Sequence, residues 1–407
     1  MSKERIGILG GTFHPIHQGH LGMALAAMDT ASLDRVLMLP DSVPPHKTNI
    51  APAEDRWRML VAATAGIKGL EPCRLELDRE GTTYTYDTLV HLHEAFPKAD
   101  LYYIIGADTL MQLHSWHRSE EVLGLCTFLV CPRACETPAA EMGAERKRLT
   151  ALGGRFLSVN MDPINVSSTE LRSALAEDRP TPLLPVTVRE YCSLLGLCGA
   201  QTRIPEAAAW MPRLFADLNA RRYAHTLGVA HSARALARNH GVDQRKAEIA
   251  ALLHDCAKCL PLKEMQRIAT ENQLTRDSSV LSSGALLHAV AGAWMAEHVY
   301  GVSDPEILHA IAVHTTGAPG MSKLDMVVCL ADKIEPGRET YPLLAKVRMM
   351  APLSLERALT ATLEGTVSYV EKGGKALHPE TLQTLEWLRK KTESNGGGAS
   401  AAESFTK

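Results

Sequence analysis

Two histidines close to the amino terminus have the types and the spacing to do chemistry. His17 and His20 lie three residues apart, directly after the glycine-rich segment 10–15 and the apolar segment 5–9. Glycines let backbone N–H groups approach a phosphate chain closely, and a helix that begins near Gly19 turns the positive end of its dipole toward the same place. This pattern suits adenylyl transfer, in which charge moves from the α-phosphorus onto departing pyrophosphate and is stabilised by fixed donors.

A glycine-rich turn between a strand and a helix is weak evidence alone, because many α/β proteins use one only to reverse the chain. Five short segments downstream carry cations, hydroxyls and aromatic side chains, namely 44–47, 83–89, 104–108, 115–117 and 166–172. In this order and spacing, the first half of the chain resembles the bacterial nicotinate-mononucleotide adenylyltransferases. The resemblance implies transfer of AMP from ATP to nicotinate mononucleotide, with Mg²⁺ accompanying the ATP.

This resemblance assigns roles to individual residues. His17 and His20 are expected to bind the ATP phosphates and to stabilise the transition state. The expected ATP contacts are Gly10, Gly11, Thr12, Phe13, His14, Gly106, Asp108, Ser167, Ser168, Thr169 and Arg172. The expected acceptor contacts are Lys47, Thr85, Trp116 and His117. Thr85 would fix the nicotinate carboxylate through its backbone, and Trp116 would stack on the pyridine ring.

The residue chemistry supports some of these roles independently. Ser167, Ser168 and Thr169 open a helix, so their hydroxyls and the free N–H groups converge on an anion, and Arg172 lies one turn further along. Taken alone, this segment would be interpreted as an ordinary N-cap with a surface arginine. Trp116, taken alone, would be interpreted as a core residue.

His14 departs from the family pattern, in which this position is more often Asp and sometimes Asn. An imidazole near neutral pH can be a donor, an acceptor or a cation. We therefore expect His14 to favour phosphate rather than repel it, with a changed pH dependence.

The second half of the chain holds a different set of polar residues inside apolar helical segments. His225, the pair His254-Asp255 and Asp332 each interrupt a run of Ala, Leu and Val. Burying such groups is costly unless something pairs with them, and one divalent cation satisfies two imidazoles and two carboxylates together. The sequence therefore predicts that several helices converge on a metal ion.

Residues 208 to about 390 resemble the HD phosphohydrolase superfamily, and most closely its bacterial branch that splits diadenosine tetraphosphate into two ADP. The match includes the segments 286–292, 311–317 and 331–338. The resemblance implies that His225, His254, Asp255 and Asp332 hold iron, manganese or another transition metal. The resemblance also implies that His288 and His314 contact phosphate or a second, more weakly held metal. Lys258 and Arg338 would neutralise the leaving phosphate.

Composition limits the remaining possibilities. The 407 residues are 45% hydrophobic and 22% charged, which predicts two folded domains. The net charge of −3 lacks the excess of positive charge that is typical of nucleic-acid-binding proteins. No apolar run approaches membrane-spanning length and no signal peptide precedes the first strand, so we expect a cytoplasmic protein that acts on small phosphorylated molecules. The nine cysteines show no zinc-site clustering and are expected to be reduced thiols, and the Cys256/Cys259 pair is interpreted as packing.

The elements that would position these residues change character near the middle of the chain. Before residue 165, short β-rich runs at 5–9, 36–39, 101–105 and 127–130 alternate with helical patterns, which predicts an α/β domain with a doubly wound parallel sheet. After a linker, helical segments follow one another with hardly a strand signal, which predicts an all-α helical bundle. The predicted boundaries are a transferase domain 1–198, a linker 199–207, an HD domain 208–392 and a disordered tail 393–407.

Three functions remain open from the sequence. The first is a bifunctional enzyme with both activities, and the second is a transferase whose helical half binds nucleotides without catalysis. The third is a related transferase with another acceptor, such as phosphopantetheine or a cytidylyl system, against which Thr85 and Trp116 argue. The sequence leaves open whether the chain forms a homo-oligomer.

Overall fold

The structure is a computed structural model, and it describes residues 3–42, 50–79, 81–132, 139–372 and 377–396. The chain divides into two compact units, residues 1–202 and residues 203–407. Lys47, an expected acceptor contact, lies outside the described residues.

The first unit is built on a parallel sheet of six strands in the order β3-β2-β1-β4-β5-β6. The strands are β1 (Arg5–Gly11), β2 (Arg35–Pro40), β3 (Leu70–Pro72), β4 (Asp100–Gly106), β5 (Thr127–Cys131) and β6 (Arg155–Ser158). Helices cover the sheet, so its central strands are buried and consist of almost continuous apolar runs. The doubly wound fold is therefore confirmed, with strands at all four expected places.

Eight helices of the first unit connect or flank the strands. They are α1 (Gln18–Ala31), α2 (Ala53–Thr64), α3 (Thr85–Ala95), α4 (Ala107–Leu110), α5 (Ser119–Leu125), α6 (Ala139–Ala151), α7 (Ser168–Ala176) and α8 (Val186–Leu195). A single 3₁₀ turn, Leu113–Ser115, follows α4.

The order of the sheet reverses between β1 and β4, which lie side by side with their carboxyl ends at one edge. In an open α/β sheet, this reversal opens a crevice at the carboxyl ends of the strands, where ligands bind. β1 ends at Gly11 and β4 ends at Gly106, so two expected nucleotide contacts flank the crevice.

The second unit is helical throughout its described residues. Its helices are α9 (Ala207–Asp217), α10 (Ala220–His240), α11 (Gln244–Leu253), α12 (Leu262–Glu271), α13 (Ser278–Leu281), α14 (Gly284–His298), α15 (Pro305–Val313), α16 (Lys323–Ile334), α17 (Pro342–Met350), α18 (Leu355–Lys372) and α19 (Pro379–Gly396). The long helix α10 packs against α11 and α16, and α15 packs against α11, α14 and α16. The predicted helical bundle is therefore confirmed.

Helix α19 overlaps the first residues of the predicted tail 393–407. It continues through residues 393–396, which were expected to begin the disordered tail. The polar residues before Gly396 are compatible with a helix, and the run of glycines begins only there. The rest of the expected tail lies outside the described residues.

Two further expectations concern thiols and membranes. The eight cysteines within the described residues are free thiols, and seven of them are buried or half-buried. No helix in the described part of the chain has both the length and the apolar composition needed to cross a bilayer.

Candidate active sites in the two units

The crevice of the first unit brings together several of the residues singled out from the sequence. Its walls include Gly10, His17, His20, Gly106 and Trp116. It is also lined by Tyr103 of β4 and by Val166, which directly precedes the serine pair of α7. The hydroxyl of Tyr103 would lie 2.8 Å from a Cβ at position 10, so only glycine leaves room for it there.

His17 and His20 form one rigid unit at the amino end of α1. Their rings stack with centroids 3.8 Å apart, and the His17 backbone N–H donates to His20 Nδ1 at 3.3 Å. Phe13 packs edge-on against the His20 ring at 5.0 Å and is itself buried, so it has only its backbone to offer to a nucleotide. Both imidazoles line the crevice at the amino end of α1.

The amino end of α7 is attached to the glycine-rich turn. Ser168 Oγ donates to the Pro15 carbonyl at 3.4 Å, and Arg172 donates to the His14 carbonyl at 2.9 Å. Ser167 caps the helix in a capping box with Glu170, and Thr169 Oγ1 accepts from Arg172 at 3.2 Å. The hydroxyls of α7 and the histidines of α1 thus lie on neighbouring segments, although about 150 residues separate them in sequence.

His14 makes a different contact from the one expected. Its ring is buried, and Nε2 accepts the backbone N–H of Ala51 at 3.2 Å. Here the imidazole serves as an acceptor for the chain, a task that the family's usual Asp or Asn can also perform. This contact occupies Nε2, and the expectation that His14 favours phosphate stays a prediction.

Sequence reasoning overlooked Arg56, which holds the glycine-rich turn in place through hydrogen bonds. This fully buried side chain donates to the carbonyls of Ala51, Thr12 and Ser42 and to Asp41 Oδ1, all at 3.0–3.1 Å. Asp41 in turn accepts from Thr12 Oγ1 at 2.9 Å, so the Thr12 side chain is used structurally. The signal was available: position 56 lies three and four residues before the buried Met59 and Leu60, on the inward face of α2.

Two of the expected acceptor residues, Thr85 and Trp116, contact Tyr103 of β4, which lines the crevice. Thr85 is the first residue of α3, where backbone N–H groups have no partner within the helix, and its side chain is hydrogen-bonded to Tyr103. The Tyr103 ring packs edge-on against Trp116 at 5.9 Å. His117, in contrast, stacks against Tyr84 at 4.4 Å and is not part of the crevice wall, and Asp108 lies in the first turn of α4.

In the second unit, all four expected metal ligands converge. His225 of α10 places Nε2 3.0 Å from Asp332 Oδ1 of α16, and His254 Nε2 lies 3.9 Å from the same oxygen. Asp255 Oδ2 is 3.4 Å from His254 Nε2 and 3.9 Å from His225 Nε2. One ligand atom from each of His225, His254 and Asp332 lies within 4.8 Å of the other two.

Asp255 also faces a second set of histidines through its other oxygen. Asp255 Oδ1 lies 3.1 Å from His288 Nε2 and 3.7 Å from His314 Nε2, and these two nitrogens are 3.2 Å apart. Lys258 Nζ lies 3.1 Å from His288 Nε2. The carboxylate of Asp255 therefore stands between two groups of imidazoles, which the sequence did not reveal.

The electrostatics of this cluster favour its charged carboxylates. Burial by itself would raise the pKa of Asp255, but the surrounding histidines, His254 first among them, hold it well below the usual range. The pKa of Asp332 is likewise lowered against the effect of burial, by Lys333, His225 and Arg338. Burial lowers the pKa values of His288 and His314 and so favours the neutral imidazoles that metals bind.

The donor set fits a divalent transition metal. His225 Nε2, His254 Nε2 and Asp255 Oδ1 are buried atoms that make no hydrogen bond within the described residues. Buried polar atoms without partners are rare, because each costs about 1–3 kcal/mol. Imidazole nitrogens together with carboxylate oxygens suit iron, manganese and zinc alike.

Sequence reasoning also overlooked the residues that orient the ligands. Glu335 Oε1 lies 3.2 Å from His225 Nδ1, and Glu335 Oε2 accepts the Gly337 N–H at 2.5 Å. Arg222 donates to Asp255 Oδ2 at 2.5 Å. A signal existed for Glu335, because it follows Asp332 by three residues and so shares its face of the chain at the end of α16.

Comparisons with known proteins agree with this arrangement. The Cytidylyltransferase-like family matches residues 8–174, and the HD domain family matches residues 222–337. A probable nicotinate-nucleotide adenylyltransferase/Ap4A hydrolase of Mycoplasma genitalium is 30% identical over 339 residues, which are 83% of this chain and 89% of that protein. The chain belongs to this family of fused adenylyltransferase/hydrolase proteins.

Other relatives of the fusion family cover one half each. A probable nicotinate-nucleotide adenylyltransferase of Corynebacterium kroppenstedtii is 37% identical over 51% of this chain and 96% of its own length. A crystal structure from Clostridium acetobutylicum, described as a predicted HD superfamily hydrolase involved in NAD metabolism, is 36% identical over 46% of this chain and 97% of that one, with a TM-score of 0.44. The first half of the chain thus has relatives that consist of that part alone.

Proposed function

We propose that the chain is a bifunctional enzyme. Its first unit transfers AMP from ATP to nicotinate mononucleotide, giving deamido-NAD and pyrophosphate. Its second unit hydrolyses diadenosine tetraphosphate symmetrically to two ADP. Membership of the fusion family supports both assignments, and the geometry of each site supplies the residues.

For the transferase, the observation that carries the proposal is the stacked pair of histidines in the crevice at the sheet reversal. His17 and His20 would stabilise the charge that develops between the α-phosphate and the leaving pyrophosphate. Backbone N–H groups of the turn and of α1 would hold the phosphates, and Mg²⁺ accompanies the ATP. Ser167, Ser168, Thr169 and Arg172 would hold the outer phosphates from α7.

For acceptor choice, the amino end of α3 and the ring of Trp116 would bind nicotinate. A carboxylate can receive several N–H groups at Thr85, whereas a carboxamide brings a donor that finds no acceptor there. An unmatched buried group costs about 1–3 kcal/mol, so we expect at least about tenfold discrimination.

The test compares kcat/KM for nicotinate mononucleotide and nicotinamide mononucleotide with the full chain and ATP. Equal values for the two acceptors would contradict the assignment. Turnover of phosphopantetheine or of CTP in place of these substrates would identify the related transferase with another acceptor.

For the hydrolase, the observation that carries the proposal is the convergence of buried ligand atoms on His225, His254 and Asp255, which lie near one another and near Asp332. We propose iron, or manganese in its place, held by these residues together with Asp332, with His288 and His314 contacting phosphate or a second metal ion. A transition metal bound there would supply a water of lowered pKa, so that hydroxide would be available near neutrality.

The protein residues around this centre have distinct tasks. Asp255 and Asp332 supply the negative charge that a divalent cation requires, and Glu335 orients the ring of His225. Lys258 and Arg338 would neutralise the phosphate that leaves. Burial lowers the pKa of Lys258, so this ammonium group gives up a proton more readily than an exposed lysine.

Two measurements decide between hydrolysis and mere nucleotide binding. Metal analysis of the purified chain should find a transition metal, and diadenosine tetraphosphate should yield ADP. A chain without bound metal that produces no ADP when iron or manganese is supplied would establish the non-catalytic alternative. For the compartment we propose the cytoplasm, where free thiols such as those described here stay reduced.

A further inference from the structure

A groove of the second unit opens directly beside the metal-ligand cluster. It lies between the end of α16, helix α17 and helix α18, and encloses about 1310 Å³ of space, part of which is open to solvent. The lining residues that bear on the choice of ligand are Lys333, Arg338, Tyr341, Leu343, Gly365 and Tyr369. We refer to it as the α16–α18 groove. Nothing in the metal cluster itself requires such a space.

One end of the α16–α18 groove is cationic and touches the metal-ligand cluster. Lys333 Nζ lies 2.7 Å from Asp332 Oδ2, and Arg338 donates to Asp332 Oδ1 at 2.8 Å. Asp332 Oδ1 is the oxygen that faces His225 Nε2. A phosphate held by Lys333 and Arg338 would therefore be in contact with the centre that cleaves it.

The other end is aromatic and aliphatic. Tyr341 and Tyr369 are 56% and 80% exposed, so their rings stand at the mouth without covering residues. Leu343, Leu344 and Val347 of α17 line the same wall. On the α18 wall the hydroxyls of Thr362 and Thr366 donate to carbonyls of their own helix, which leaves their methyl groups for the groove.

The groove is held in shape from both sides. Arg348 of α17 donates to the carbonyls of Ile334, Glu335 and Arg338 and to Thr340, so it fixes the loop between α16 and α17. Gly365 lets α17 approach α18, because a Cβ there would lie 2.4 Å from Leu343 Cδ2. The space is thus preformed, as in most small-molecule sites.

A cationic end joined to an aromatic, apolar end matches the chemistry of a nucleotide. We propose that the α16–α18 groove binds the base and ribose of one nucleotide half of the substrate, with Tyr341 and Tyr369 stacking on the base and Lys333 and Arg338 holding the adjoining phosphates. This inference rests on the proposed hydrolase function and names the part of the chain that selects nucleoside polyphosphates. Glu339, also in the lining, supplies an acceptor for a ribose hydroxyl or an exocyclic amine.

The first test measures steady-state hydrolysis of diadenosine tetraphosphate by the full, metal-loaded chain. Since stacking on an aromatic side chain contributes about 1–3 kcal/mol per base, Tyr341→Ala and Tyr369→Ala should each raise KM about tenfold, with the loss falling on KM rather than kcat. The matched control is Met349→Ala, which removes an equally exposed apolar side chain of α17 outside the groove. Unchanged KM values in both tyrosine variants would overturn the proposal.

The second test does not depend on hydrolysis. Photolabelling the full chain with 8-azido-ADP should modify peptides containing Tyr341 or Tyr369, and ADP should prevent this labelling at much lower concentration than inorganic pyrophosphate, which lacks the base and ribose. Labelling of these peptides without any hydrolysis would support nucleotide binding in the groove and refute the proposed hydrolase activity. Hydrolysis without their labelling would refute the groove.

A second copy of the chain is the competing occupant of this apolar surface. In that case Tyr369→Ala and Met349→Ala would both shift the oligomeric state in sedimentation, with KM unaffected by either. That result would overturn the nucleotide-binding role.

Discussion

Glu335 is a buried carboxylate that contacts His225, one of the proposed metal ligands. It holds His225 through Nδ1 and the Gly337 N–H with its two oxygens. Such a partner fixes the tautomer and the orientation of the ring, so that Nε2 points into the cluster. Glutamine has a single accepting oxygen in its side chain, so at this position it can accept only one of these two hydrogen bonds.

We therefore expect Glu335→Gln to weaken metal binding by about 10–100-fold while the helices of the second unit remain folded. The measurement is metal content after dialysis against buffers of defined free metal concentration. Glu297→Gln, on the exposed surface of α14, is the control. Full metal retention in Glu335→Gln would show that Glu335 does not orient His225.

Glu76 is a buried carboxylate behind the expected acceptor pocket. It accepts from Thr88 Oγ1 at 2.8 Å and from Thr83 Oγ1 at 3.4 Å, and so fixes the segment that leads into α3. Burial is the main cause of its raised pKa, and the bonds from Thr88 and Thr83 offset this only in part. A raised pKa means that folding favours the protonated carboxyl.

The sign of the pH dependence follows from this shift. The contribution of protonated Glu76 is fully present below the unfolded-state pKa of about 4.5 and is lost as pH rises through the higher folded-state pKa. Because glutamine does not ionise, Glu76→Gln removes this pH-dependent loss of stability. The variant should therefore gain stability relative to the parent as pH rises above about 4.5, measured as the free energy of unfolding of the first unit by hydrogen exchange in β1. A constant difference across this range would contradict the assignment.

At the scale of elements, the approach of α1 to the segment before α7 determines where the His17 ring can lie. A Cβ at Gly19 would lie 2.8 Å from Val166 Cγ1 and 3.0 Å from the His17 ring. Any side chain at this position has to displace one of them. Both line the crevice of the first unit.

We expect Gly19→Ala to lower kcat/KM for adenylyl transfer by about ten- to a hundredfold, because small displacements of a catalytic group are costly. Gly124→Ala is the matched control, since nothing lies within 4 Å of a Cβ there and alanine is the better helix former in α5. Hydrolysis of diadenosine tetraphosphate by the same preparations reports on the other unit. Transfer at the parental rate in Gly19→Ala would mean that the His17 ring tolerates the shift.

For the whole molecule, the division into two units, each with its own buried apolar residues, predicts separable activities. His20→Ala should lower adenylyl transfer by orders of magnitude and spare hydrolysis. Asp255→Ala should abolish hydrolysis, because the carboxylate between the two groups of histidines is lost, and should spare transfer. A chelator should act like Asp255→Ala once Mg²⁺ is restored.

The chain carrying both substitutions tests whether the sites are coupled. If they are independent, each activity in the double variant equals that of the corresponding single variant within error. The thermal transition of His20→Ala should stay close to that of the parent, apart from the capping contribution of His20, which is about 1 kcal/mol. Loss of transfer in Asp255→Ala would reveal coupling between the units.

The sequence by itself determined the elements and the chemistry-bearing residues. Apolar runs such as 101–105 predicted buried parallel strands, and polar groups at 225, 254, 255 and 332 inside apolar helices predicted a common metal. Both inferences work because periodicity and burial cost are local properties of the chain. Family resemblance then supplied roles for single residues.

Only the tertiary structure decided which atoms meet. Arg56 reaches the Thr12 carbonyl across 44 residues, and Glu335 reaches His225 across 110, contacts that no local pattern encodes. The same holds for His14, which accepts the N–H of Ala51, and for Asp255, which stands between two groups of histidines. The physical reason is that hydrogen bonds and ligand contacts depend on ångström-scale distances between elements, which packing fixes only after the chain has folded.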